Sequence, residues 1–209
     1  MAENKSRLGR PPVMATEERQ HLLLSAAEKV FVENGYGTSS MEEIARESGM
    51  SKKTLYRYYP NKKAIFSALV QNHEISHIRV SPPDNVSKNI QAELRKTIMA
   101  LAKFILSPRQ VKMARLIIAE ARNAPELAQQ FQEDCLMRSQ NIVAELLRNL
   151  GVCKGAEADR LADIILGATL GSLQLRALVS GLDLNVINNE LEVRIKTTLN
   201  LLSPLTSNS

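Results

Sequence analysis

Cysteine is almost absent from this 209-residue chain, which has only Cys135 and Cys153. Two thiols are too few for a disulfide framework or a thiolate metal site. They are expected to be reduced thiols of a cytoplasmic protein, with a redox-sensing thiol as the alternative. Long apolar runs are missing too. No apolar stretch follows a basic start, so no signal peptide is expected, and no run reaches the roughly 20 apolar residues that a membrane span requires. Strand alternation is missing from the informative windows. Helical period replaces it nearly throughout, and the chain is read as all-α with about nine helices. Acidic residues are missing from positions 51–63, where Lys52, Lys53, Arg57, Lys62 and Lys63 all fall. The net charge is +5. Residues 1–70 hold eleven Lys and Arg against eight Asp and Glu, a local excess that points to an anionic partner engaged by one end of the molecule rather than to a membrane. A hydrophobic content of 44% suffices for a core.

Residues 39–62 read as two short helices joined by a tight turn. Ile44 and Ala45 give the first an apolar inner face, and Gly49 can adopt the left-handed conformation that ends it. Ser51 can cap the second helix at the Thr54 amide, while Met50 and Leu55 point inward. Lys52, Lys53, Tyr56, Arg57 and Tyr58 are left outside. Basic side chains near the start of such a helix can reach phosphates and guanine edges in a major groove, and tyrosines add apolar contact and a phosphate-directed hydroxyl. An ordinary solvated basic face is the alternative for charge alone. Turn, cap and inner residues together favour a DNA-reading element.

Residues 16–70 resemble the N-terminal part of the tetracycline-repressor (TetR) family of bacterial transcription regulators. Gly35-Tyr36-Gly37-Thr38-Ser39-Ser40 resembles that family's turn into its second helix, where hydroxyls and amides touch phosphate, so the resemblance implies DNA contacts for Thr38, Ser39 and Ser40. Ser51-Lys52-Lys53-Thr54-Leu55-Tyr56 resembles its recognition helix, which adds Thr54 to the contacts. Tyr58-Tyr59-Pro60-Asn61-Lys62 is similar to the following segment, with Lys62 in the phosphate-clamping position. Lys53 stands where glycine is frequent, Tyr58 where histidine is, and Tyr59 where phenylalanine is. Tyr59 keeps the core ring, while Lys53 and Tyr58 are expected to alter operator preference.

The first 15 residues form a polar basic arm around Leu8-Gly9-Arg10-Pro11-Pro12. Carried on a stiff extended backbone, Arg10 can enter a narrow minor groove, as an AT-hook-like arm would; a disordered terminus is the alternative. A first helix is expected from a Thr16 cap to just before Gly35, with Glu17 and Glu18 in its first turn. Asn61 should cap a fourth, and Ser81-Pro82-Pro83-Asp84 breaks the chain. The expected organisation is an arm over 1–15, a helix-turn-helix domain over 16–62, a linking helix over 63–80 and an effector-binding and dimerisation domain over 81–209. Helices are expected at about 85–106, 109–122, 125–149, 157–180 and 186–202, punctuated by Pro108, Pro125, Gly151 and Gly181.

Arg115-Leu116-Ile117-Ile118-Ala119-Glu120-Ala121-Arg122, with Pro125-Glu126-Leu127-Ala128 and Phe131, resembles the C-terminal domain of an AefR-like TetR subgroup that includes regulators of efflux. The resemblance implies an effector cavity and a dimer surface in this half. Phe104, Met113, Ile117, Phe131 and Met137 could line the cavity, with Glu120, Gln174 and Arg176 as polar anchors and core packing as the alternative. Leu161, Ile164, Ile165, Ala168, Gly171, Ser172 and Leu175 on one helix are candidates for a two-fold interface, with Leu191, Ile195 and Leu199 on the last.

His73-Glu74-Ile75-Ser76-His77 is a literal H-E-x-x-H. On a helix its histidines share a face and could bind zinc, with Glu74 as a general base, which makes a zinc hydrolase the competing function. No third histidine follows, and Pro82-Pro83 interrupts the path to the nearby acids. His73 and His77 remain candidates for ligand or pH sensing. The expected function is a non-enzymatic, ligand-responsive homodimeric repressor in the cytoplasm, without cofactor or metal. It would hold a palindromic operator and be released by a small molecule, with efflux or stress-response genes as targets. A third reading is an architectural A·T-rich DNA binder using the Gly-Arg-Pro arm.

Overall fold

A computed structural model of the chain describes residues 15–71, 90–180 and 184–202, without the side chains of 184–188. Nine helices and no strand occur among the described residues. The helices are α1 Thr16–Asn34, α2 Met41–Glu47, α3 Lys52–Tyr58, α4 Lys62–Gln71, α5 Ile90–Ile105, α6 Pro108–Glu120, α7 at 125–149, α8 at 155–180 and α9 Leu184–Leu201. The expected all-α architecture is therefore present. Side-chain caps set the start of four of these helices. Ser40, Ser51, Asn61 and Ser107 each accept a backbone N–H in the first turn that follows. Thr16 is not a cap: Ala15 holds that position without a side-chain bond, and Thr16 is the first helical residue. At the other end of α1, Gly35 adopts φ 84°, ψ 154°, a conformation that a side chain strains.

Helices α7 and α8 each contain a π-helical turn, at Gln132–Met137 and Gly167–Gly171. A buried hydroxyl accompanies each. Ser139 Oγ donates to the Cys135 carbonyl at 2.7 Å and Thr169 Oγ1 to the Ile165 carbonyl at 2.6 Å. Where a backbone N–H reaches past its usual acceptor, a hydroxyl can take up the carbonyl that is left over.

Apolar side chains gather in two clusters. One joins α1–α4 to Met113, Leu116 and Ile117 of α6 and to Ala124, Leu127 and Cys135 around the start of α7. The other is built from α5, the second half of α7, α8 and α9. Helix α6 therefore gives its buried apolar face to the cluster of the N-terminal helices. Met113 and Ile117, expected in an effector cavity, are packed in that first cluster at 1% and 4% exposure.

The expected dimer residues divide between two faces of the same helices. Ile165, Leu191, Ile195 and Leu199 are buried in the protomer's own second cluster and are not surface residues. Leu161 is half-buried against that cluster. Ile164, Ala168, Gly171, Ser172 and Leu175 lie outside, joined by Val179 at 77% exposure. By length and composition Gly155–Ser180 is apolar enough to cross a membrane, contrary to the expectation that no run would be. Its inner face, including Ala158, Ala162, Ile165, Leu170, Leu173 and Ala177, packs in the second cluster, the usual reason a core helix passes that test.

Candidate nucleic-acid interface

The α2–α3 unit is built from the inside outward. Ile44 and Leu55 are fully buried, Ala45 nearly so, and Met50 packs against them. Gly49 turns the chain at φ 67°, which lets the Met50 N–H reach the Ala45 carbonyl at 3.0 Å. Ser51 Oγ accepts the Thr54 N–H at 3.1 Å and lies 2.9 Å from Thr54 Oγ1, so Thr54 is engaged in the cap of α3. Lys52, Lys53, Tyr56 and Arg57 stand exposed. One partner was not legible beforehand: Lys52 Nζ lies 2.8 Å from Glu42 Oε1 on α2. The hydrogen bond from Lys52 holds the Glu42 carboxyl below its ordinary pKa. Tyr58 is half-buried. Desolvation raises its phenol, but hydrogen bonds with Arg19, Arg57 and Thr16 outweigh this and leave it below the ordinary tyrosine value.

The turn between α1 and α2 corrects the sequence reading most. Ser39, expected on phosphate, is buried and donates to the Val30 carbonyl at 3.3 Å and to the Gly35 carbonyl. Ser40 forms a capping box with Glu43, whose N–H it receives at 3.2 Å and whose carboxylate takes the Ser40 N–H at 2.8 Å. Thr38 is exposed, but its hydroxyl folds back on the Asn34 and Gly35 carbonyls. Lys62 is not a free phosphate clamp. Its ammonium donates to the carbonyls of Tyr36, of Gly37 at 3.0 Å and of Ser39 at 2.8 Å, and sits 4.6 Å above the Tyr36 ring. Burial holds its pKa below the ordinary lysine value, against the pull of Glu120 and Glu43. Phe31, Tyr36 and Phe66 pack beneath this knot in tilted and edge-on pairs with centroids 5.2 to 6.4 Å apart. Arg10 lies outside the described residues, as do His73 and His77.

Glu120 was expected as an effector anchor. Instead it ends α6 against the same turn, accepting the Gly37 N–H at 3.1 Å. A Cβ on Gly35 or Gly37 would stand 3.1 or 3.3 Å from its carboxylate, so the close approach depends on both glycines. At the start of α6, Arg109 Nη2 lies 2.6 Å from Glu28 Oε2 of α1. Between α4 and α7, Ser67 Oγ donates to Gln130 Oε1 at 2.8 Å.

A cavity lies between α5, α6, α7 and α8. Phe104, Phe131 and Gln174 line it as expected, together with Gln110, Ala114, Cys135, Leu136 and Ser139, which the sequence reading did not select. Met137 is half-exposed and outside this lining, and Arg176 is paired with Glu190 at 2.7 Å. Gln110 shares the buried stripe of α6 with Met113, Ala114 and Ile117. A glutamine in an apolar helical stripe was the available signal. Burial and the nearby Asp134 push the Cys135 thiol up to about 12, and burial raises Cys153 as well, which opposes the thiolate that a redox sensor needs.

Known proteins share this plan. Residues 23–69 match the family described as "Bacterial regulatory proteins, tetR family", and residues 92–191 match the "AefR-like transcriptional repressor, C-terminal domain". The transcriptional activator FasR of Mycolicibacterium smegmatis is 36% identical over 81 residues, which are 39% of this chain and 33% of FasR. The regulator HbdR of an Aromatoleum species is covered over only 24% of its length. An uncharacterised helix-turn-helix regulator of Mycobacterium bovis is 27% identical over 77% of this chain and 82% of its own. Among solved structures, the flavonoid-responsive regulator FrrA superposes with TM-score 0.69 at 27% identity, covering 89% of this chain and 97% of FrrA. A TetR-family regulator of Mesorhizobium loti superposes with TM-score 0.71 at 21% identity, covering 90% and 98%.

Proposed function

Because this chain belongs to the TetR family of bacterial transcription regulators, we propose that it is a homodimeric repressor that holds a palindromic operator and releases it when a small molecule enters the α5–α8 cavity. The observation that carries the reading is the outer face of α3, where Lys52, Lys53, Tyr56 and Arg57 stand exposed on a buried, capped scaffold. One such face spans a few base pairs. Two faces about a helical turn apart, or a multiple of it, read a palindrome. The exposed stripe of Ile164, Ala168, Gly171, Leu175 and Val179 on α8 is the surface proposed for the dimer. The work is done on chromosomal DNA in the cytoplasm, without covalent chemistry, with efflux or stress-response genes as the proposed targets.

The cavity has room for about one water molecule, ≈ 20 Å³. A larger effector must therefore separate α6 from α7, and both helices are bonded to the N-terminal helices that carry the α2–α3 unit. Helix α6 holds α1 through Arg109–Glu28 and the α1–α2 turn through Glu120, while α7 holds α4 through Gln130. An effector that binds the opened state better shifts the paired heads away from operator spacing by that difference in affinity. FrrA, whose name gives flavonoids as its signal, supports an aromatic effector.

Selection of bound DNA from a random pool, then gel shift with the selected site, tests the reading. Lys52→Ala with Tyr56→Ala should weaken specific binding by about 100-fold or more while the dimer persists, since each base-edge contact is worth about 1–3 kcal/mol. Unchanged affinity would refute it. FasR is named an activator. Transcription in vitro that rises when the protein is added would replace repression by activation.

A further inference from the structure

Gln110 is 5% exposed, and its side-chain Oε1 and Nε2 are both buried without a hydrogen-bond partner. It lines the cavity between α5, α6, α7 and α8. An unmet amide in that position stands out, because the other buried polar side chains among the described residues are bonded: Ser39, Ser139 and Thr169 each donate to a carbonyl. Neither the carbonyl nor the NH₂ finds a partner among the protein's own groups, and the group that meets both is the group the site selects.

We infer that Gln110 is the recognition residue of this cavity, and that its ligand is a neutral, flat, ring-bearing molecule whose edge carries a hydrogen-bond acceptor beside a donor, as in a carboxamide or lactam. The inference rests on the effector reading above and adds the chemistry of the ligand. Three features set that chemistry. A primary amide presents an acceptor and a donor side by side, so its best partner is another such edge in the opposite sense, joined by two parallel bonds. Among the described residues that line the cavity none is charged, so an ionised ligand would lose its hydration without gaining a counter-ion. Phe104, Phe131 and Ala114 offer apolar surface suited to a ring. Leu136 also lines the cavity although half-exposed, and it belongs to the π turn of α7, which places the opening at that turn.

Isothermal titration of the full chain with benzamide, benzoate and ethylbenzene tests this without any DNA. Benzamide should bind at least about tenfold more tightly than benzoate, the nearly isosteric anion. Gln110→Met should bind benzamide about tenfold more weakly and ethylbenzene more tightly, and the free variant should melt at a higher temperature than the parent because an unmet amide has been replaced by an apolar chain of similar length. Gln110→Leu serves as a second variant. Absence of benzamide binding, equal binding of benzoate, or a Gln110→Met protein that keeps benzamide or melts lower would overturn the assignment. A separate gel shift with the selected operator distinguishes the two proposals. Gln110-dependent benzamide binding that leaves DNA affinity unchanged preserves the ligand assignment and removes the effector-release reading.

Discussion

Around the α1–α2 turn, side-chain polar groups meet backbone ones at almost every point. Lys62 collects three carbonyls, Ser39 two, Ser40 and Glu43 exchange a pair of bonds, and Glu120 closes the Gly37 amide from across the molecule. In the α5–α8 cavity, α7 and α8 each carry a π turn, and the Gln110 amide has nothing to bond. The first region has satisfied its polar groups in one arrangement and gains nothing by moving. The second holds a buried amide that no group of the protein itself satisfies. The proposed release mechanism asks for this kind of division, one element held in a single arrangement and another that can change, because a ligand can shift only an equilibrium that is already close.

Hydrogen exchange would test this contrast most strongly. Amides of 132–137 in α7 should exchange about 100-fold faster or more than those of 23–31 in α1, and equal protection would erase the distinction between compliant and rigid regions. Gly35→Ala attacks the rigid side. The new Cβ meets both an unfavourable φ and the Glu120 carboxylate, so a loss of about 1–3 kcal/mol is expected by denaturant unfolding. Lys62→Met should cost about 2 kcal/mol by the same measurement, the range for charge-assisted bonds to carbonyls, and should leave the salt slope of DNA binding unchanged. A slope lowered by about one unit with unchanged stability would return Lys62 to the phosphate backbone.

Smaller effects refine the comparison. Ser40→Ala should lose about 1 kcal/mol at neutral pH through its cap. Hydrogen bonds from the Ser40 side chain and backbone hold the Glu43 carboxyl below its ordinary value of 4.5. A lowered folded pKa contributes fully above the unfolded value and fades as pH falls through the folded one. The gap between parent and Ser40→Ala should therefore narrow below about pH 4.5, as followed by thermal melts across pH. Glu42→Gln frees Lys52 from its exposed ion pair, and operator affinity should rise about two- to fivefold, the scale of a surface pair. An unchanged gel shift would mean that Lys52 does not touch DNA.

Much of the reading element was legible. Ile44, Ala45, Gly49, Ser51 and Leu55 do the jobs that their types and spacing suggested, since a cap, a left-handed turn and an apolar helical face each depend on neighbours a few residues away. The Ser39 hydroxyl turns inward because its acceptors, at Val30 and Gly35, come within reach only when the chain folds back at the turn, whereas Ser40 and Glu43 form a local S-x-x-E capping box that was there to be read in the sequence. For Lys62 the resemblance implied a phosphate clamp, and only folding brings the carbonyls of Tyr36, Gly37 and Ser39 around its ammonium. On α8, Ile164 and Ile165 were pooled as one interface, although adjacent helical positions point about 100° apart and here one is outside and the other in the core.

By itself the sequence determined the all-α composition, the succession of helices and the basic outer face of α3, all of which follow from periodicity, caps and local charge. The tertiary structure alone decided that Glu120 closes the α1–α2 turn, that the Lys62 ammonium meets three carbonyls there, and that the Gln110 amide is buried without a partner among the protein's own groups. Each of those roles depends on a partner, or on the lack of one, far away along the chain. Contacts between distant positions are set by packing and the loss of water, and neither is written in any short window of residues.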